Sequence, residues 1–143
     1  MKMEPRLTLV TLGVRDLARA VAFYRDGLGL EKDERWDEIA FFKMGTTILA
    51  LFPRDELAAD AHVSPEGSGF SGVTLAHNVA TAAEVDALLD YAGTIGAKVI
   101  APAEQKPWGG RSGYFTDPDG HLWEVAHNPE FPLTDDGRLT LPD

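Results

Sequence analysis

Glu124 is an acidic residue inside a short apolar segment near the end of the chain. It lies between Trp123 and Val125, and strand alternation puts it on the opposite face from both. A glutamate in such a strand is either solvated or directed into a pocket. In a pocket it can act as a general base or acid, or it can pair with a cationic ligand. The sequence leaves these roles open.

Hydroxyl and aromatic residues precede this segment. Ser112 and Tyr114 have the spacing of neighbours on one strand face, and we expect both to point into a cleft if Glu124 does so. Trp108 and Arg111 surround two glycines. They predict either a rim that stacks on a ligand and clamps its charge, or a loop whose Trp covers the core.

Other candidate ligand-binding residues are uncharged. Thr74 and Asn78 have the inward parity of an earlier predicted strand and offer hydrogen-bonding groups. Trp36 precedes the corresponding strand of the first half of the chain and can mirror the later Trp across the cleft. Phe41, on that strand, would make the floor of the cleft apolar.

Composition narrows the possible partners. The 143 residues include 13 basic and 23 acidic residues and no cysteine, for a formal net charge of −10. This charge disfavours nucleic acid and anionic membranes and suits solubility or a cationic ligand. Without cysteine, disulfides and thiolate chemistry are excluded. No apolar run is long enough to span a membrane and the start does not resemble a signal peptide, so we expect a cytoplasmic protein.

The first half of the chain predicts a strand, a helix and three further strands. Residues 7–14 are rich in aliphatic and β-branched residues, and Asp16 is a candidate N-cap for the helix that follows. Beyond residue 53, prolines and glycines break the pattern and predict a linker or a flexible lid. The three later strands are predicted at residues 30–34, 39–44 and 46–52.

The second half repeats this order. A strand over residues 72–79 leads to a capping box, Thr81-x-x-Glu84, that begins a helix. The sequence Asp-Pro-Asp-Gly over residues 117–120 predicts a tight hairpin between the last two strands. The three strands after the helix are predicted at residues 98–101, 110–116 and 121–127.

An internal repeat explains this doubled order most simply. Two such modules can bury their sheets together, with the helices packed outside. We therefore predict an α+β fold in which two βαβββ modules form an open, curved mixed sheet around a cleft. The predicted single domain covers 1–143, with modules at 7–53 and 72–127, a linker at 54–71 and a C-terminal tail at 128–143.

The repeat and several short motifs resemble the vicinal oxygen chelate superfamily, which includes glyoxalase I, extradiol dioxygenases, fosfomycin-resistance transferases and bleomycin-resistance proteins. The resemblance covers about residues 7–127 and implies the fold more specifically than the reaction. Its motifs are Val-Arg-Asp-Leu at 14–17, Ala-Phe-Tyr at 22–24, Leu-Gly-Leu at 28–30 and the hairpin with its second strand at 117–125.

The resemblance also implies where a metal would bind. The four ligand positions of the metal-using members fall on Leu9, Ala50, Thr74 and Glu124, and only Glu124 matches the pattern. A catalytic divalent ion needs about three nitrogen or oxygen ligands and an open position. We therefore expect no metal and no other cofactor.

The histidines do not supply the missing ligands. His77 and His127 have the parity of residues that face away from the cleft, and we expect His77 to be a packed, hydrogen-bonded residue. His121 adjoins the predicted turn and His62 lies in the linker.

Two functions remain open. The first is a metal-independent binding protein of the bleomycin-resistance type, which sequesters an aromatic or cationic small molecule in an apolar cleft. The alternative is a lyase or isomerase of the glyoxalase type, with Glu124 as the proton-transfer base and Tyr114 or Arg111 stabilising an enolate. A subunit with a vestigial cleft is a third option. In this superfamily a partner subunit often closes the cleft, so we expect a homodimer.

Overall fold

The computed structural model of the protein describes residues 1–142. Asp143, the end of the predicted tail, lies outside the described residues. The chain divides into two compact units, Met1–Gly67 and Ser68–Asp143. No helix within residues 1–142 combines the length and apolarity needed to cross a bilayer.

The first unit contains a three-stranded sheet backed by a helix. Strand β1 covers Leu9–Val14, β2 covers Ala40–Met44 and β3 covers Thr47–Pro53. The sheet order is β1-β3-β2, with β1 parallel and β2 antiparallel to β3. Helix α1 covers Leu17–Val21 and continues as a π-helical turn over Ala22–Gly27.

Local chemistry explains where α1 begins and what it buries. As predicted, Asp16 caps the helix, because its side chain accepts a hydrogen bond from the Arg19 backbone N–H at 3.1 Å. On the buried side, the ring of Tyr24 lies 6.1 Å from that of Phe42, and Phe42 is 0% exposed. The side of the sheet that carries Phe42 therefore faces the helix.

Two segments of the first unit differ from the sequence prediction. The strand predicted at 30–34 is reduced to a single bridge between Lys32 and Phe42, since four consecutive charged residues have low strand propensity. The segment predicted as a linker begins with helix α2, Arg54–Asp60. Acidic residues in its first turn favour it, and Arg54 Nε donates to the Pro65 carbonyl at 2.8 Å.

The second unit contains a four-stranded sheet of order β4-β7-β6-β5. Strand β4 is parallel to β7, and the other pairs are antiparallel. In both units, then, the first strand lies parallel to the last, and the predicted α+β fold class is confirmed. The strands are β4 Leu75–Asn78, β5 Lys98–Gln105, β6 Arg111–Thr116 and β7 Leu122–His127.

Helix α3, Ala82–Thr94, packs on one side of this sheet. The predicted Thr81 cap is present, because Thr81 Oγ1 accepts from the Glu84 N–H at 3.2 Å. Glu84 in turn accepts from the Ala80 N–H at 3.3 Å. A Cβ built on Gly113 would lie 2.5 Å from Leu89 Cδ1, so this glycine lets α3 approach the sheet closely.

The hairpin between β6 and β7 has the predicted geometry. Asp117 N–H donates to the His121 carbonyl at 3.0 Å, and Gly120 adopts a φ of 86°. Strand β5 is longer than predicted and runs past two register irregularities and Pro102. It lies at the edge of the sheet, where a proline removes no hydrogen bond from the ladder.

Candidate functional site

The second sheet has two chemically different sides. Gly113 and its partner Val125 face α3, so their strand neighbours point the other way. We name this other side the Glu124 face. Strand register brings together on it the side chains of Ala76, Asn78, Ser112, Tyr114, Glu124 and Ala126.

A tyrosine and a glutamate pair at the centre of this face. Tyr114 and Glu124 are register partners, and the Tyr114 hydroxyl donates to Glu124 Oε2 at 3.3 Å. Burial disfavours the phenolate, and the adjacent Glu124 carboxylate disfavours it further, so the pKa of Tyr114 is raised above its ordinary value. The phenol therefore stays neutral at physiological pH and acts as a hydrogen-bond donor.

The other predicted polar residues of this unit differ in exposure. Ser112 is only 1% exposed, although it lies on the predicted face. Asn78 is half-buried beside Ala126 in β4. Thr74 precedes β4 and is exposed. Asn78 thus offers the amide group nearest in register to the Tyr114–Glu124 pair.

Arg111 lies on the side of the sheet that faces α3, which separates it from this pair. Its Nε and Nη2 donate to the two carboxylate oxygens of Asp86 on α3, each at 2.7 Å. Nη2 also donates to the Ala103 carbonyl at 3.2 Å. Side chains alternate between the two sides of β6, and Arg111, two residues before Gly113, therefore points to the same side as that glycine. We therefore leave Arg111 out of the candidate site.

Trp108 occupies the loop between β5 and β6. Lys106 N–H donates to the Gly110 carbonyl at 2.8 Å, and Gly109 N–H donates to the Lys106 carbonyl at 3.0 Å. A Cβ on Gly110 would overlap the Trp108 ring, so the indole lies directly over this glycine. The ring remains 44% exposed and can contact a ligand from the loop.

Lys106 and Glu104 were missed by the sequence analysis. Lys106 Nζ donates to Glu104 Oε1 at 2.5 Å, and Glu104 is the register partner of Ser112. The Lys106 charge favours ionisation of Tyr114 and so opposes part of the rise in its pKa. The spacing Glu104-x-Lys106 would have indicated a pair on one side of a strand. It was missed because the strand was predicted to end at residue 101, before this pair.

In the first unit, the side of the sheet away from α1 is apolar and aromatic. Phe41 pairs with Ala50, and Leu9 pairs with Ile48, all on the side opposite Phe42. The Trp36 ring lies 6.2 Å from that of Phe41 at 80°. A cavity of about 560 Å³ opens there, with apolar walls formed mainly by Leu9, Trp36, Phe41 and Ile48.

The residues at the family's metal positions do not fit a catalytic ion. Leu9 and Ala50 carry hydrocarbon side chains without lone pairs, and Thr74 offers one neutral hydroxyl. Glu124 alone supplies a carboxylate. Residues 1–142 contain no group of three or more His, Cys, Asp or Glu side chains placed to hold a metal. We derive no step through a metal, and a cofactor-free protein stays a prediction.

His77 and His127 lie on the side of the second sheet that faces away from the Tyr114–Glu124 pair. His77 shares the face of Val125, as its parity predicts, but it is exposed, so the expectation of a packed residue is wrong. It lies near the end of a four-residue strand with little cover. His127 Nδ1 lies 3.4 Å from the Val79 carbonyl.

The chain belongs to the Glyoxalase/Bleomycin resistance protein/Dioxygenase superfamily, whose sequence model matches residues 6–125. This is the family that the repeat and motifs resemble, and the matched region includes the first module and all but the last two residues of the second. Membership confirms the fold and leaves the individual ligand to be argued from the site.

Relatives with different activities share this fold. The crystal structure of a glyoxalase-related enzyme from Fulvimarina pelagi is 36% identical, with a TM-score of 0.89, and the match covers 98% of this chain and 100% of that one. The glutathione transferase FosA of Serratia marcescens is 33% identical over 128 residues, 86% of this chain and 81% of FosA. A lactoylglutathione lyase from Agrobacterium tumefaciens is 30% identical, with a TM-score of 0.67, covering 87% and 95%.

Proposed function

We propose that this chain binds a cationic small molecule through Glu124 without a resident metal, and sequesters it as a bleomycin-resistance-type protein would. The observation that carries the proposal is the Tyr114–Glu124 pair on the Glu124 face. The neutral Tyr114 phenol gives the Glu124 carboxylate a hydrogen bond but no compensating positive charge, so the carboxylate can attract a cation.

The surroundings of Glu124 favour a cationic group. Ala76, its register partner on β4, is exposed, so an apolar side chain beside Glu124 can contact the rest of a ligand. The positive charge that acts on Tyr114 belongs to Lys106, and this ammonium group is paired with Glu104. A net charge of −10 also raises the local concentration of cations.

Calorimetric titration with hexyltrimethylammonium, an aliphatic quaternary cation, tests the proposal. We expect Glu124→Gln to weaken binding at least about tenfold, because a partly buried charge pair is lost. Glu130→Gln is the matched control, since it removes an exposed acid from the same unit outside the candidate site. Heptanol, which lacks the charge, should bind weakly to all three proteins. Equal affinity of the wild type and Glu124→Gln for the cation would overturn the proposal.

A second candidate is a lyase or isomerase of the glyoxalase type. It is favoured by the neutral Tyr114 hydroxyl beside Glu124 and by similarity to a lactoylglutathione lyase. Glu124 would remove the proton next to a substrate carbonyl, Tyr114 would donate a hydrogen bond to the enolate oxygen, and Glu124 would return the proton to the neighbouring carbon.

Turnover separates the two candidates. Methylglyoxal and glutathione form a hemithioacetal spontaneously, and its conversion to a thioester can be followed by absorbance. The binding proposal predicts no conversion above the uncatalysed rate, with or without added chelator. Conversion that is lost in both Glu124→Gln and Tyr114→Phe would establish the enzyme instead.

We also propose that the chain forms a homodimer. Large apolar side chains are exposed on the single chain, among them Leu7, Val63, Phe70 and Val73. Exposed apolar surface is typical of an interface. Sedimentation equilibrium should give twice the chain mass of 15.5 kDa, and the single-chain mass at micromolar concentration would contradict the proposal.

A further inference from the structure

A single side chain on the helix side of the second sheet links three elements of this unit. Arg111, at the start of β6, donates two hydrogen bonds of 2.7 Å to Asp86 on α3 and one of 3.2 Å to the Ala103 carbonyl on β5. We name these three residues the Arg111 clamp. The clamp and Tyr114 lie on opposite sides of the sheet, because side chains alternate along β6.

The clamp is attached to β5 where the pairing of this strand with β6 is irregular. The register shifts between Ala101 and Glu104, so that three steps along β5 match only two steps along β6. Pro102 and Ala103 fall inside this interruption. Arg111 Nη2 therefore supplies a side-chain hydrogen bond to the backbone at the point where the ladder of hydrogen bonds is disrupted.

The irregularity decides the direction of the charged residues that follow it. In an uninterrupted strand, residues three positions apart point to opposite sides. Because of the shift, Ala101 and Glu104 instead pair with Tyr114 and Ser112, which share one side. Lys106 Nζ donates to Glu104 Oε1 at 2.5 Å. An ammonium–carboxylate pair is thus placed on the side of the sheet that carries Tyr114.

This pair has two consequences for the candidate site. Burial and the Glu124 carboxylate raise the pKa of Tyr114, and the Lys106 charge opposes part of that rise. The Lys106 ammonium is also kept on Glu104. A lysine ammonium is a point charge on a flexible stem, so a Lys106 released from Glu104 would compete with a cationic ligand for Glu124.

The geometry of the clamp suits it to hold the irregular segment in one position. A bidentate pair of guanidinium and carboxylate fixes the orientation of both groups, and the Arg111 side chain is only 27% exposed. We propose that Arg111 and Asp86 are positioning residues that hold the β5 irregularity and thereby keep Lys106 on Glu104 and away from Glu124. The consequence for ligand binding rests on the proposed function, whereas the positioning itself does not.

Fluorine NMR of protein labelled with 3,5-difluorotyrosine tests the positioning role without a ligand. Fluorination makes the phenol more acidic, so the labelled Tyr114 ionises while Lys106 keeps its proton. The chain has three tyrosines, and the Tyr114 resonance is assigned by its loss in Tyr114→Phe. We expect Lys106→Met to raise the pKa of Tyr114, because a nearby positive charge is removed.

The same substitution is then repeated in an Arg111→Met background. We expect less than about half of the rise to remain, because without the clamp Lys106 is no longer held near Tyr114. Leu89→Ala is the matched control, since it removes buried apolar contact between α3 and the sheet and leaves the clamp in place. The full rise should remain in this control. An equal rise with and without Arg111, or its loss in Leu89→Ala as well, would overturn the proposal.

Calorimetric titration with hexyltrimethylammonium tests the consequence for the cation site. Arg111→Met should weaken binding about threefold, since a released Lys106 competes for Glu124. Addition of Lys106→Met to this variant should restore the affinity of the wild type, and a loss that persists would overturn the proposed mechanism. Should the wild type not bind this compound, the proposed function fails, while the fluorine experiment still decides the positioning role.

A second variant covers the case in which Arg111→Met does not fold. Asp86→Asn keeps the shape of the Asp86 side chain and removes the charge that Arg111 binds. We expect the effect of Lys106→Met on Tyr114 to be reduced in this background too. A full rise in the pKa of Tyr114 there would contradict the role of the clamp.

Discussion

Both units pair their first strand in parallel with their last, but they place different chemistry on the side of each sheet that faces away from its helix. In the first unit the strands on this side carry Leu9, Phe41, Lys43 and Ala50. In the second unit it carries Tyr114 and Glu124 in hydrogen-bond contact. Duplication of a fold therefore does not duplicate a site. On this side the second unit carries the carboxylate that can bind a cation, and the first unit carries mainly apolar side chains.

The largest expected effect is on the free energy of unfolding, and it distinguishes the two sides of the first sheet. Phe42→Ala should lower the free energy of unfolding by about 3–5 kcal/mol, because it empties a fully buried position beside Tyr24. Phe41→Ala, one residue away on the other side, should cost clearly less, since Phe41 is half-buried. Urea unfolding measures both. Equal losses would contradict the assignment of the two sides.

A smaller effect sharpens the same distinction in the second unit. Gly113→Ala should destabilise the protein by about 1–3 kcal/mol, because the new methyl group would lie 2.5 Å from Leu89 Cδ1 and 2.7 Å from the Ala101 carbonyl oxygen. Gly93→Ala adds the same methyl group to α3 with 4.0 Å to the nearest atom. It should stabilise by up to about 1 kcal/mol. Thermal or urea unfolding measures the stability of both variants. A Gly113→Ala protein as stable as the wild type would mean that α3 does not approach the sheet as closely as the 2.5 Å contact implies.

The smallest effect concerns the pH dependence of the Tyr114–Glu124 pair. The raised pKa of Tyr114 means that the folded protein retains this proton more tightly than the unfolded chain does. The associated stability is intact below the unfolded pKa of about 10 and is lost as the pH rises through the higher folded value. Unfolding measured from neutral to strongly alkaline pH should therefore show a steeper decline for the wild type than for Tyr114→Phe.

Ultraviolet titration of the tyrosines provides the control for this prediction. In Glu124→Gln, one of the causes that raise the Tyr114 pKa is removed, so the phenol should ionise at lower pH than in the wild type. Tyr24 and Tyr91 remain in every variant and cancel in the comparison. Identical curves for the wild type and Glu124→Gln would show that the pair is not formed in solution.

The sequence predicted features that depend on neighbours along the chain. The cap at Asp16, the cap at Thr81 and the hairpin at 117–120 each require a few adjacent residues, and all three are present. Alternation also placed Tyr114 and Glu124 on one face, because parity is set locally once a strand is recognised.

Contacts that depend on the three-dimensional course of the chain could not be predicted in the same way. The Arg111 guanidinium bonds Asp86, a residue 25 positions away, so its partner lies beyond any local pattern. The Lys32 ammonium bonds carbonyls of a loop whose course no periodicity describes. Helix α2 was hidden because prolines and glycines surround a short helical segment.

The most direct test of the central claim is a crystal structure of the protein with hexyltrimethylammonium. We predict that the quaternary nitrogen lies against the Glu124 carboxylate, on the side of the second sheet that faces away from α3, with no metal ion between them. An ammonium group bound elsewhere, or a metal ion held at Glu124 by donors from several strands, would contradict the claim.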